Sequence, residues 1–378
     1  MAIAFRERHH RGSDMPILYS GPMKAFIVTL WMTLMFYGSG AVAQTTVLPQ
    51  QPAIHSTIAT QSVMLSVARA GRRLVAVGER GFIIVSDDNG ATWRQVGSPV
   101  SVTLVKVRFI DANHGWAVGH AGIVLHSADG GMTWVKQLDG IQAAEIELEQ
   151  ARRDTDGQAP ERLSLAQQLM DEGPDKPLLD LLFLDARNGW VVGAYGLAFV
   201  THDGGLSWQS IRSRVENPNG LHLYGIAQIG TDVFMTGEQG TLLRSSDTGQ
   251  SFEALTPPYG GTIFGLAATD NHSILAFGLR GKAFESWDRG ETWKRLDTLQ
   301  PVTLTSGLRL DDGSVVLADE SGRVLRFADG DTQATALQIP QPRYFTGMTQ
   351  AANGDLIISS TRGMLSSALK VESSEPSR

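Results

Sequence analysis

The chain has 378 residues, no cysteine, 32 Lys and Arg against 39 Asp and Glu, and a formal charge of −7. Without Cys there can be no disulfide, no lipid anchor through Cys, and no thiolate nucleophile or metal ligand. The acidic balance argues against general binding to nucleic acid or anionic membranes, which depends on Lys and Arg neutralising phosphate.

Residues 1–43 read as a secretory signal peptide. Arg6, Arg8, Arg11 and Lys24 form a basic leader, residues 25–37 are an apolar run, and Ala41-Val42-Ala43 offers small residues for cleavage before Gln44. The run is shorter than the roughly 20 residues of a comfortable membrane span. The leader is long, so Met15 and Met23 are alternative starts, and an uncleaved N-terminal anchor is the competing reading. Cleavage after Ala43 removes four basic and two acidic side chains and leaves a charge of −9. The expectation is an exported, periplasmic protein.

From Val63 onward one unit recurs. An apolar strand, a turn rich in Asp, Asn and Gly, and a second apolar strand end at a Gly-x-x-Gly turn, as in residues 107–119 and 182–193. The turn is intact at Gly78–Gly81, Gly119–Gly122, Gly193–Gly196, Gly237–Gly240 and Gly278–Gly281. It continues with its first Gly replaced at Asp319–Gly322 and Ser360–Gly363. First positions are spaced by 41, 74, 44, 41, 41 and 41 residues. β-Branched and aromatic runs bounded by polar turns are strands, and a fixed period of about 40–50 residues built from short strands marks a β-propeller. The reading is an all-β, seven-bladed β-propeller over residues 44–371, with a frayed polar tail at 372–378. The last repeat is short of a fourth strand, and residues 45–56 are the expected donor that closes the ring.

A third strand leads to a second motif, Ser/Thr-x-Asp-x-Gly-x-Thr/Ser-Trp. Its Asp and aromatic positions are Asp88 and Trp93, Asp129 and Trp134, Asp203 and Trp208, Asp247 and Phe252, and Asp288 and Trp293. This is the Asp-box of the bacterial neuraminidase repeat. Its Asp can accept bonds from its own turn, its Gly allows positive φ, and its aromatic side chain serves as an apolar peg. The expected role is structural. The sixth repeat keeps only Asp329-Gly330 of the box.

The 74-residue interval exceeds the common pitch by 33, which places an insert between blades two and three, over residues 140–177. Ile141, Ala144, Leu148 and Ala151, then Leu163, Ala166, Leu169 and Met170, recur at helical spacing, and Pro160 suits a first turn. The spacing predicts two short amphipathic helices joined at Asp154–Ala159, bearing nine carboxylates against four basic side chains. An insert joining a fourth strand to the next first strand lies on the face of the Gly-x-x-Gly turns, and the Asp-boxes lie on the other. The candidate partner-binding residues are therefore the exposed turn positions Arg80, His120, Tyr195, Glu238, Arg280 and Arg362. An arginine arc on an acidic protein can recruit a carboxylate or an acidic peptide segment.

Catalytic chemistry is sought and not found. Beyond the leader there is no His-x-x-x-His or Glu-x-x-His helix motif, no P-loop and no Gly-x-Ser-x-Gly elbow. His114, His120 and His126 look periodic, but His120 and His126 are separated by a strand, roughly 15–20 Å. No metal, cofactor or catalytic residue is expected. The alternative is a carbohydrate-active propeller, sialidase-like or lectin, with Arg80, Arg280 and Arg362 imitating an arginine triad. No companion Glu–Tyr pair supports it.

The run Phe109-x-Asp111-x-x-x-Gly115-Trp116-x-Val118-Gly119-x-x-Gly122, followed by the Asp-box, resembles the photosystem II stability and assembly factor family over about residues 60–370. The resemblance implies a non-enzymatic propeller that holds an assembling membrane-protein subunit through an arginine-rich patch, to which Arg80, Arg280 and Arg362 could correspond. The insert and the run Glu172-Gly173-Pro174-Asp175-Lys176-Pro177 resemble the non-photosynthetic bacterial branch. Its members often sit beside resistance-nodulation-division exporters, which implies an exporter's periplasmic portion as partner.

Overall fold

The computed structural model describes residues 51–268 and 273–369. The signal peptide, residues 45–50 of the expected closing strand and the tail beyond Leu369 lie outside the described residues.

Seven antiparallel meanders form the blades: residues 64–96, 104–138, 178–210, 223–254, 263–295, 304–337 and 345–367. The first six have four strands and the seventh has three. Second strands are buried along their whole length, save Arg73 at the start of the first, because each lies mid-blade between two neighbouring sheets. Hence they read as continuous apolar runs such as Trp190-Val191-Val192 rather than as alternation. One apolar cluster fills each blade interface. The cluster between blades seven and one joins Ile357 and Ala351 to Met64, Val67 and Leu74. Thr346 Oγ1 donates to Met64 O at 2.6 Å across the same interface.

The expected closure by residues 45–56 is not observed. The described part of that segment is committed to blade one: Ala53 N–H donates to Ser98 O at 3.0 Å, and Ser56 N–H to the Gln95 side chain at 2.8 Å. Gln95 Nε2 returns a bond to Ile54 O at 2.8 Å. These backbone groups are used beside the outer strand of blade one, so among the described residues the seventh blade packs against the first without a donated strand.

The Gly-x-x-Gly turn has a steric cause. Its first Gly is extended, and a Cβ on Gly78 would stand 2.1 Å from Val63 O, the carbonyl just before the inner strand. Its third residue is left-handed, as at Arg80, Ala121, Tyr195, Gln239 and Arg280. Each inner strand is also bulged near this end, between Met64 and Ser66 in blade one and between Leu223 and Gly225 in blade four. A bulge re-aims the extra side chain.

The insert is α1 (Gly140–Arg153) and α2 (Ala159–Glu172). Asp139 caps α1 in a capping box with Gln142, which satisfies amide groups left open in the first turn. Arg162 ties the interhelical turn through Asp154 and Asp156, both at 2.6 Å. Leu148, Ala151 and Ala166 are buried between the helices. Ile141 and Leu163, expected in the apolar stripes, are instead 38% and 39% exposed, whereas Ala143 and Glu147 are buried. α1 meets the propeller as well as α2, so its covered surface is wider than one stripe.

Candidate partner-binding face

The insert lies on the Gly-x-x-Gly face. A Cβ on Gly122 would be 2.7 Å from Gly140 Cα, so the start of α1 touches the turn of blade two. Lys176, at the exit of the insert, holds its ammonium 5.6 Å from the Tyr195 ring in the turn of blade three.

The Asp-boxes occupy the opposite ends of the blades and are internally consumed. Asp203 Oδ1 accepts from Ser207 N–H at 2.9 Å and Thr201 Oγ1 at 2.8 Å, while Oδ2 accepts from Ser207 Oγ at 2.6 Å. Asp88, Asp129, Asp247 and Asp288 repeat the pattern. Hydrogen bonds from Thr92 and Thr292 hold the carboxyls of Asp88 and Asp288 at about 2. At Asp203 and Asp247 burial pushes upward, yet the bonds from Ser207 and Thr201, and from Ser245 and Ser251, outweigh it and also leave about 2. The peg aromatics Trp134, Trp208 and Phe252 are buried, and Trp93 and Trp293 half-buried. The boxes also lock blade to blade, because Trp190 Nε1 donates to Gly249 O of the next box at 3.1 Å.

Arg80, His120, Tyr195, Arg280 and Arg362 are exposed on the turn face, and Glu238 is half-buried. Among the described residues none of Arg80, Arg280 and Arg362 forms an ion pair. Arg362 and Arg80 flank one short segment, since Gly363 N–H donates to Ser62 O and Glu79 N–H to Val63 O, both at 3.0 Å. Arg343 joins them by donating to Arg362 O at 2.8 Å. Arg280 stands apart in a cavity of about 350 Å³ with Lys282, Arg295 and Tyr259.

Tyr195 and Glu238 converge on a residue that sequence reasoning missed. His222 Nδ1 is 3.1 Å from Glu238 Oε2, and its ring centroid is 4.9 Å from that of Tyr195. Tyr224 follows at 6.2 Å and Phe264 at 5.3 Å. Tyr224 and Phe264 are bulge residues of adjacent inner strands, so the row runs from the rim toward the ring axis. Burial, together with nearby Glu238, pushes the Tyr224 hydroxyl up. Glu238 also accepts from His222 N–H at 3.0 Å, as Glu79 accepts from Val63 N–H at 3.2 Å, which gives it a turn-clasping role. Tyr224 and Phe264 alternate ordinarily in sequence, and only the inner-strand bulge signals their direction.

Deeper inside, Arg108 Nη2 donates to both oxygens of buried Asp180, at 2.9 and 2.8 Å, and to Ile226 O at 3.2 Å. Asp180 in turn accepts from Ile226 N–H at 3.1 Å, which stitches the inner strands of blades two, three and four. Such a pair is better read as a register lock than as a site. His114 and His126 stack with centroids 6.1 Å apart. Among the described residues no group of three or more His, Asp or Glu is placed to hold a metal ion.

The fold and site define a seven-bladed Asp-box propeller with a helical insert, whose free cations and half-exposed aromatics share one face. The family described as photosynthesis system II assembly factor YCF48 matches residues 85–152 and 160–363, and the chain belongs to it. It is 26% identical over 166 residues to the photosystem II assembly lipoprotein Ycf48 of Synechococcus sp. (strain CC9902), covering 42% of this chain and 48% of that one. The chain thus spans about half the length of this curated relative. Among solved structures it resembles YCF48 bound to D1 peptide (TM-score 0.59, 18% identity, covering 85% of this chain and 99% of the other). It also resembles YCF48 from Cyanidioschyzon merolae (0.56, 15%, 81% and 95%) and a streptogramin B lyase (0.63, 11%, 84% and 96%). At these identities the structures speak for the fold alone.

Proposed function

We propose that this chain is a non-enzymatic binding and assembly propeller that docks a membrane-protein partner through its insert-bearing face. The observation that carries this reading is the division of labour between the two faces. Every Asp-box carboxylate is held by its own turn, while Arg80, Arg280 and Arg362 project without ionic partners among the described residues on the face that also carries the Tyr195–His222–Tyr224–Phe264 row. Uncommitted cations and half-exposed aromatics supply the anchors that protein interfaces favour. The solved relative bound to D1 peptide supports a protein ligand.

In the finer reading the protein is exported to the periplasm after cleavage behind Ala43. Its partner there is the periplasmic portion of a resistance-nodulation-division exporter. The curated relative's description as a lipoprotein supports export. The sialidase-like or lectin alternative loses its motivation, because the Asp-box side chains that suggested it are bonded within their hairpins.

Photo-crosslinking residues placed at 80, 195, 280 and 362 in cells should capture a membrane protein. Position 206, 84% exposed within the third Asp-box, is the control. Capture from 206 and from none of the four turn positions would reverse the face assignment.

A further inference from the structure

The seventh blade ends in a third strand, Gly363–Ser367, and among the described residues no fourth strand lies outside it, whereas blades one to six each carry one. The six sister blades show what that edge is built to receive. In blades one, two and six the residue two beyond the last Gly of the turn pairs with an aliphatic residue: Ile83 with Val96, Val124 with Leu138, Val324 with Leu337. In blades three, four and five the same position accepts a backbone bond from an aliphatic residue. Ile211 N–H donates to Ala198 O at 3.0 Å, Leu255 N–H to Leu242 O at 2.9 Å and Leu296 N–H to Ala283 O at 3.0 Å. Counted from Gly363, that position is Leu365. By the same register Leu365 and Ser367 turn their peptide groups outward, while Ser366 faces the middle residue of an incoming strand.

A cavity of about 910 Å³ opens along this edge, lined by Ser366, Ser367 and Ala368 on one side and by Leu337, Ile339 and Pro340 of the sixth blade on the other. Residues 53–56, which could have been near enough to fill it, are hydrogen-bonded to blade one. An exposed edge with outward peptide groups is a template for an added strand, and apolar pockets beside it select the side chains.

We propose that the open edge of the seventh blade is a second docking site, separate from the turn face. Its occupant is an extended segment of a protein partner, added antiparallel to Gly363–Ser367. The segment carries two small or polar residues followed by Val, Leu or Ile opposite Leu365. Main-chain bonds supply affinity and the aliphatic side chain supplies selectivity.

The chain has no cysteine, so Ser366→Cys in the full-length protein introduces a single thiol at an exposed position. The probe is a synthetic peptide with the sequence of residues 291–297, the outer strand of blade five, with Cys in place of Arg295. Each peptide carries its Cys as the mixed disulfide with 5-thio-2-nitrobenzoate, so the protein thiolate attacks the peptide sulfur and releases the coloured thionitrobenzoate without added oxidant. The exchange should run about tenfold faster than with a peptide whose leucine is replaced by Asp. Adding Ser367→Pro, which removes one outward N–H while leaving the bonds to the second strand, should abolish the advantage. Circular dichroism of both variants reports that the propeller remains folded. Equal rates for the two peptides overturn the proposal. So does a thiol that reacts with neither peptide because the chain's own terminus covers it, or one that pairs only with a second copy of the chain.

Discussion

Gly122 and Gly140 approach so closely that a methyl group on the first would lie 2.7 Å from the Cα of the second. This contact between a blade-two turn and the first residue of α1 seats the insert on the turn face. On its far side Gly140 is bounded by Pro174, with a Cβ there only 2.6 Å from Pro174 O. Both obstacles are backbone, so neither can swing aside. Gly140→Ala should therefore unseat the insert while leaving the ring intact. Hydrogen exchange should accelerate across residues 140–176 and stay unchanged in the second strands of the blades. Uniform acceleration everywhere would show instead that the insert is part of the global folding unit.

The bond from Trp190 Nε1 to Gly249 O joins blade three to the Asp-box of blade four. Trp190→Phe removes the donor, keeps most of the apolar volume and leaves a buried carbonyl short of one partner. It should cost about 1–2 kcal/mol in urea unfolding, the usual range for such a loss. No loss would show that the boxes stand alone rather than lock neighbours.

The Asp-box carboxyls of Asp88, Asp203, Asp247 and Asp288 sit at about 2, below the ordinary 3.8. A lowered folded value stabilises the fold above the unfolded pKa, and this contribution disappears as pH falls through the folded one. The midpoint of thermal unfolding should accordingly drop between about pH 4 and pH 2. Asp203→Asn should lower the midpoint at pH 7 and make the acid limb shallower. A limb unchanged by this substitution would place the acid sensitivity elsewhere.

Glu147 behaves in the opposite sense. It is 4% exposed between α1 and blade three; burial pushes its carboxyl up, against the pull of Arg212 and a bond from Ser210. Its Oε1 has no hydrogen-bond partner. A raised folded value means that stability is greatest below the unfolded pKa and declines as pH rises through the folded one. The insert should exchange amide hydrogens faster at pH 7 than at pH 4, after correction for intrinsic rates. Glu147→Gln should remove that difference. A difference that persists in the variant would assign it to another group.

Much of the fold is legible in residue order because each blade is a local meander. Gly-x-x-Gly recurs in the first five blades, where the inner strand's carbonyl crowds the turn, and the Asp-box recurs in the same five, where the hairpin satisfies its own amides. Repetition of a local constraint shows in sequence, so the blade number, the two helices and the shared face could all be read there. The closing strand could not. Residues 53–56 belong to the segment that precedes the first repeat, but their bonds go to Gln95 and Ser98, a choice between two edges made by the packing of blades one and seven.

The same division holds for the candidate face. The sequence by itself determined that Arg80, Tyr195, Arg280 and Arg362 stand on exposed turns, because each occupies the short link between the second and third strands of its repeat. Only the tertiary structure decided which of them have company. Arg343 reaches Arg362 from the linker between blades six and seven, Lys282 and Arg295 flank Arg280, and bulges in two separate inner strands turn Tyr224 and Phe264 into line with His222 and Tyr195. These groups are brought together by ring curvature and strand register, which act between blades and leave no periodic mark within any one of them.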